Sequence, residues 1–127
     1  MTILIVERSM LINDRMKNLV AEMGNIKAIY QTACYKEGEA LFNTIKPDVV
    51  LLDIELLLHK SIDLLKTMTT NISNTTVIAL AYCNDKLINS KCMDYGAHFI
   101  FDKYLDFEKI PAVINTIATN KNRYLHS

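Results

Sequence analysis

Polar residues stand at or just past the ends of three apolar runs in this sequence. Asp53 ends the run Val49-Val50-Leu51-Leu52, and the residues from there to Leu58 are apolar apart from Glu55. Glu7 and Arg8 follow Ile3-Leu4-Ile5-Val6, and Lys103 lies just past Phe99–Phe101. A carboxylate at the mouth of a buried strand costs free energy unless a cation or a hydrogen-bond donor meets it. Lys103 can supply that cation. Every strand must end on something polar, but two acids and a lysine converging at three strand ends mark a site. Such a set can hold a charged ligand or a charged reacting group.

The elements that would bring these residues together alternate along the chain. Strands are expected over about 2–7, 26–31, 49–53, 76–81 and 99–102. Between them, helices follow from apolar positions at helical spacing: Ile12, Met16, Leu19, Val20 and Met23 up to Gly24; Ala40, Leu41 and Ile45 within Lys36–Ile45; Ile62, Leu64, Leu65 and Met68 within Ser61–Met68; and Lys86–Tyr95 before Gly96. The last helix is expected over about 107–120, with Asp106 as its N-cap and Pro111 shifting or kinking its start. The run Val49–Leu52 has no polar alternation, as befits a central parallel strand buried on both faces. Five βα units in series imply an α/β fold of the flavodoxin-like, doubly wound kind. Its five-stranded parallel sheet has order 2-1-3-4-5 and helices on both faces. Ligands of such sheets bind beyond the carboxyl ends of the strands, where strand order reverses, here between the first and third strands.

Composition narrows the function. The chain has 127 residues, half of them hydrophobic, with 14 basic against 14 acidic side chains. That is one domain, residues 1–127, with enough apolar content for a single core. The charge balance speaks against a chain held to nucleic acid or a membrane surface by bulk electrostatics. Cys34, Cys83 and Cys92 form no CxxC pair, so neither a disulfide scaffold nor a zinc site is expected, and a reducing cytoplasm is the simpler setting. No apolar stretch approaches the roughly 18–20 residues of a membrane span.

The stretches Ile3-Leu4-Ile5-Val6-Glu7, Lys46-Pro47-Asp48-Val49-Val50-Leu51-Leu52-Asp53 and Gly96-Ala97 followed by Lys103 carry a resemblance over essentially the whole chain. It resembles the receiver domain of two-component response regulators, a phosphorelay module and not an enzyme. The resemblance implies that Asp53 is the phosphoacceptor, attacking the phosphoryl group of a sensor kinase's phosphohistidine. Lys103 is then the lysine that neutralises that group, and Glu7 is one of an acid pair that holds Mg²⁺. Glu7, Asp53 and the main-chain carbonyl of Glu55 would be the protein ligands to the metal. Implied partners are a sensor histidine kinase or phosphotransfer protein and an output domain or effector. A second copy could dock on the face of helix 4, strand 5 and helix 5. No direct nucleic-acid binding and no membrane contact are implied.

The departures from the family pattern cluster in the same place. Arg8 takes the position of the second metal-binding acid, where a guanidinium repels Mg²⁺. Ala81 stands where a Thr or Ser hydroxyl would contact the phosphoryl group, Tyr82 follows where a small residue is usual, and Ile100 replaces the usual switch aromatic. Leu57 and Ser61 replace the Pro and Gly of the loop after the phosphoacceptor, and Tyr104 replaces the Pro after the lysine. The expectation is a receiver whose Mg²⁺-dependent phosphorylation is weakened or lost. Arg8 is expected to pair with Asp53 in the metal's place, so that Glu7 and Asp53 balance Arg8 and Lys103. The alternative is a working receiver phosphorylated on Asp53. A flavodoxin-like cofactor binder is the remote third reading, since no glycine follows the first strand in Glu7-Arg8-Ser9-Met10. His59, His98 and His126 are too scattered for a metal site, and Met10, Met16, Met23, Met68 and Met93 read mostly as core fillers.

Overall fold

A computed structural model describes residues 1–126 except 56–58, 71–73 and 82–84, with side chains through Asn120. The sequence positions Leu57, Tyr82 and Cys83 lie outside the described residues. Five βα units follow one another: β1 (Thr2–Val6), α1 (Met10–Ala21), β2 (Ala28–Thr32), α2 (Tyr35–Ile45), β3 (Val49–Asp53), α3 (His59–Thr70), β4 (Thr76–Ala81), α4 (Lys86–Asp94), β5 (Phe99–Asp102) and α5 (Ile110–His126). All strand pairs are parallel, in the order β2-β1-β3-β4-β5. That is the doubly wound, flavodoxin-like arrangement expected from the alternation.

Because side chains alternate across a strand, the same strands feed two cores. Leu4, Val6, Val50, Leu52, Val77 and Ala79 face one side with Phe42, Leu65 and Met68. Ile3, Ile5, Val49, Leu51, Ile78 and Leu80 face the other with Met16, Val20, Ile110 and Ile114. Every residue of β3 is buried, as the unbroken apolar run required. Close approach is enforced at Gly38, where an added Cβ would lie 2.9 Å from the Val6 side chain, so α2 sits tightly on β1.

Boundaries differ from expectation where the sequence signal was weak. The edge strand β2 is shifted to Ala28–Thr32 and is mostly half-exposed, so its burial pattern could not fix its start. Asp106 does not cap a helix with its side chain. It accepts the Asp102 N–H (2.8 Å) and pairs with Lys109 (3.0 Å), and Phe107–Lys109 form a 3-10 turn before α5. Pro111 is then the second residue of α5, where a missing N–H costs nothing. The helix continues to His126, past the expected end near residue 120, since neither Gly nor Pro interrupts it. Met16 and Met68 are core residues, but Met10 and Met93 are exposed.

Candidate functional site

The parallel register puts the carboxyl ends of β1, β3 and β5 at one edge of the sheet, and three charged side chains converge there. Asp53 is the last residue of β3, Glu7 is the first after β1, and Lys103 is the first after β5. Asp53 and Glu7 have no exposed surface, and Lys103 is 4% exposed. The Lys103 Nζ lies 2.7 Å from Asp53 Oδ1 and 3.0 Å from Glu7 Oε1, so one ammonium bridges both carboxylates. The main-chain N–H of Arg8 donates to Asp53 Oδ2 at 3.3 Å, and that of Ser9 to Glu7 Oε1 at 3.1 Å. Glu7 Oε2 is buried with no hydrogen-bond partner among the described residues.

These contacts set the protonation chemistry. Burial, reinforced by the charge of Asp53, pushes the Glu7 carboxyl up to about 7, against the pull of Lys103 and the Ser9 N–H. Burial alone would lower the pKa of Lys103, but its bonds to Asp53 and Glu7 outweigh that and hold it above the ordinary lysine value. Glu7 therefore exchanges its proton near neutrality while Lys103 stays charged beside it.

Arg8 departs from expectation. Its guanidinium does not pair with Asp53; it points outward to Glu55 Oε2 at 3.4 Å, with about half of its side chain exposed. Only its peptide N–H reaches Asp53. Chain direction explains this: past β1 the backbone turns into α1, and an inward N–H leaves the side chain at the rim. The charge facing the two buried acids therefore comes from Lys103 alone, and the interior balance expected with Arg8 is not formed. Ala81 ends β4 and contributes its carbonyl, which accepts the Lys103 N–H at 3.1 Å. Ile100 lies in mid-β5, partly buried against the α2–α4 face and away from the charged cluster.

Two further side chains hold the main chain at Asp53 and Glu55. The buried Tyr35 hydroxyl, at the start of α2, donates to the Asp53 carbonyl at 2.9 Å. Burial, then the nearby acids, raise that phenol well above its ordinary value, so it remains a donor. The Ser61 hydroxyl of α3 accepts the Glu55 N–H and donates to the Glu55 carbonyl, both at 3.0 Å. Asn13 was also missed by sequence reading. It is fully buried on α1, donates to the carbonyls of Glu7 (3.1 Å) and Thr32 (3.0 Å), and accepts from Gln31 (2.7 Å). A polar residue at i−3 from Met16, on the buried stripe of α1, was the available signal for it.

Mg²⁺ takes octahedral oxygen coordination with one or two carboxylates. Here both oxygens of Asp53 and one of Glu7 already hold donors, and the Glu55 carbonyl holds Ser61. A hydrogen bond takes one lone pair of an oxygen, so Asp53, Glu7 Oε2 and the Glu55 carbonyl keep capacity and would be the groups to hold the ion. What opposes a divalent cation here is charge: the Lys103 ammonium sits between the two carboxylates, and Arg8 follows Glu7. Among the described residues, no group of three or more His, Cys, Asp or Glu is placed to hold one.

A family model for the response regulator receiver domain matches residues 3–115. No curated protein matches the chain. Among solved structures, a DNA-binding response regulator of the LuxR family from Staphylococcus aureus superposes with TM-score 0.81 at 20% identity, covering 91% of this chain and 97% of that one. The signal receiver domain of a DNA-binding response regulator from Colwellia psychrerythraea gives 0.82 at 22%, covering 93% and 98%. The response regulator domain of Thermotoga maritima CheB gives 0.77 at 22%, covering 96% of each. At such identities the structures speak for the fold.

Proposed function

The chain belongs to the response regulator receiver domain family, and from that premise we propose that it is a signalling receiver in which Mg²⁺-dependent phosphorylation of Asp53 is weakened or lost. Receiver domains in general are signalling domains that work with histidine kinases or phosphotransfer proteins and with output domains, and use Mg²⁺ when phosphorylated. The observation that carries the narrower reading is the clamp on Asp53. Its carboxylate is fully buried, one oxygen on Lys103 and the other on the Arg8 N–H. Each donor withdraws electron density from the oxygen it holds, so a carboxylate so engaged is a weaker nucleophile. The Arg8 side chain on Glu55 adds positive charge at the rim, where an incoming divalent cation would be repelled.

Output in this reading passes through protein–protein contact. Leu87 and Met93 of α4 are more than half exposed, as are Tyr104 and Leu105 beyond β5. They offer apolar surface to an effector, a kinase or a second copy on the α4–β5–α5 side. No helix among the described residues is long and apolar enough to cross a membrane. A cytoplasmic setting without nucleic-acid binding by this domain belongs to the same proposal.

The second reading, a receiver phosphorylated on Asp53 in the ordinary way, has one observation in its favour: the unpartnered Glu7 Oε2. A Mn²⁺ titration followed by paramagnetic broadening separates the two. The first reading expects no specific broadening around Asp53 at about millimolar metal in the native protein, and its appearance in Arg8→Asp. Specific broadening in the native protein at those levels favours the second reading instead.

A further inference from the structure

A cleft of about 740 Å³ lies between α2 and α3, with the buried side chains of Tyr35 and Leu64 among its walls and Arg8 at its edge. Both helices follow parallel strands on the same face of the sheet, so both run back from the carboxyl edge of the strands. Each places a lysine at its second residue, Lys36 in α2 and Lys60 in α3, and an acid three residues later, Glu39 and Asp63. All four line the cleft. Three helical residues advance about 4.5 Å. In each helix the lysine therefore lies nearer the carboxyl edge of the sheet, where the Arg8 N–H meets Asp53, and the acid one step farther along. No ion pair joins Lys36, Glu39, Lys60 and Asp63 to one another, so their charges face the cleft and its solvent.

We propose that this cleft is an effector site for a small zwitterion. Its anionic head, a phosphate or a carboxylate, sits among Arg8, Lys36 and Lys60, and its ammonium tail between Glu39 and Asp63. Arg8 is free to be recruited because its present partner is a half-exposed carboxylate at 3.4 Å, a pair of little worth in water. Two contacts connect the cleft with Asp53: the Arg8 N–H on its carboxylate and the Tyr35 hydroxyl on its carbonyl. Occupancy thus reaches the phosphoacceptor position through groups that touch it. Binding is independent of the receiver reading above; only its consequence for Asp53 rests on that reading.

The test is an amide NMR titration of the whole chain with phosphoethanolamine and 4-aminobutyrate, which separate phosphate from carboxylate heads. Inorganic phosphate and acetate serve as head-only controls. The expected result is saturable shifts at Arg8, Lys36, Lys60 and Glu39 with one zwitterion, and binding roughly tenfold weaker for its matching control. The Asp53 amide should shift with them in the native protein and much less in Tyr35→Phe. Lys36→Glu with Lys60→Glu places acids in first helical turns, where they are tolerated, and should abolish the shifts. No saturable shift with either zwitterion, or unchanged affinity in the double variant, would overturn the proposal. Loss of the receiver reading would leave the Lys36 and Lys60 shifts intact, so the two failures are distinguishable.

Discussion

Burial displaces the Glu7 carboxyl far from its ordinary value, and its pH signature follows from sign alone. Its carboxyl is raised from 4.5 to about 7, so between those values the folded chain holds a proton that the unfolded chain has released. Stability therefore falls as pH rises through that window and is lowest, for this group, above it. The full effect is at most about 3.5 kcal/mol. Urea unfolding at pH 5 and pH 8 should show the native protein losing stability toward pH 8, with the slope largely removed in Glu7→Gln. A slope unchanged in Glu7→Gln would mean that Glu7 is not its source. Lys103 is the counterpart. Replacing it with Met strands two buried carboxylates, and a loss of about 3–5 kcal/mol is expected. A loss under about 1 kcal/mol in the same unfolding experiment would show that the acids are not held by this ammonium.

At the scale of elements, two substitutions separate backbone demands from packing. Gly96 follows α4 at φ +91, and a Cβ there would meet the Thr69 side chain at 3.1 Å, where the Thr69 hydroxyl also grips the Tyr95 carbonyl. Gly96→Ala should cost about 1 kcal/mol or more. Pro111→Ala should be nearly neutral, within about 0.5 kcal/mol, because the first turn of α5 needs no N–H there. Thermal unfolding of the pair checks both, and a larger loss for Pro111→Ala would contradict the assigned start of α5. The same contrast shows what sequence could convey about the elements. Runs such as Val49–Leu52 and stops such as Gly96 are local signals that tertiary packing has no reason to override. The start of β2 and the end of α5 depend on edge exposure and on polar residues that neither stop nor start a helix, so their limits were not legible.

At the scale of the molecule, the site was legible as far as chain topology carries it. Glu7 and Asp53 each end an apolar run and Lys103 lies just past another, and a parallel sheet of order 2-1-3-4-5 has to bring such ends to one edge. Where a side chain goes after the strand ends is a different matter. Arg8 was expected on Asp53 but lies on Glu55, because the turn into α1 sends its N–H inward and its guanidinium out. Tyr35, Ser61 and Asn13 act on main-chain atoms of neighbouring elements, and no periodicity in their own segments announces that. On the proposed function, the whole is a receiver whose Asp53 is clamped by Lys103 and the Arg8 N–H. Incubating the native chain with Mg²⁺ and a small-molecule phosphodonor, then weighing it intact, tests that account most directly. It predicts no stoichiometric phosphoryl adduct; a full adduct that disappears in Asp53→Asn would contradict it.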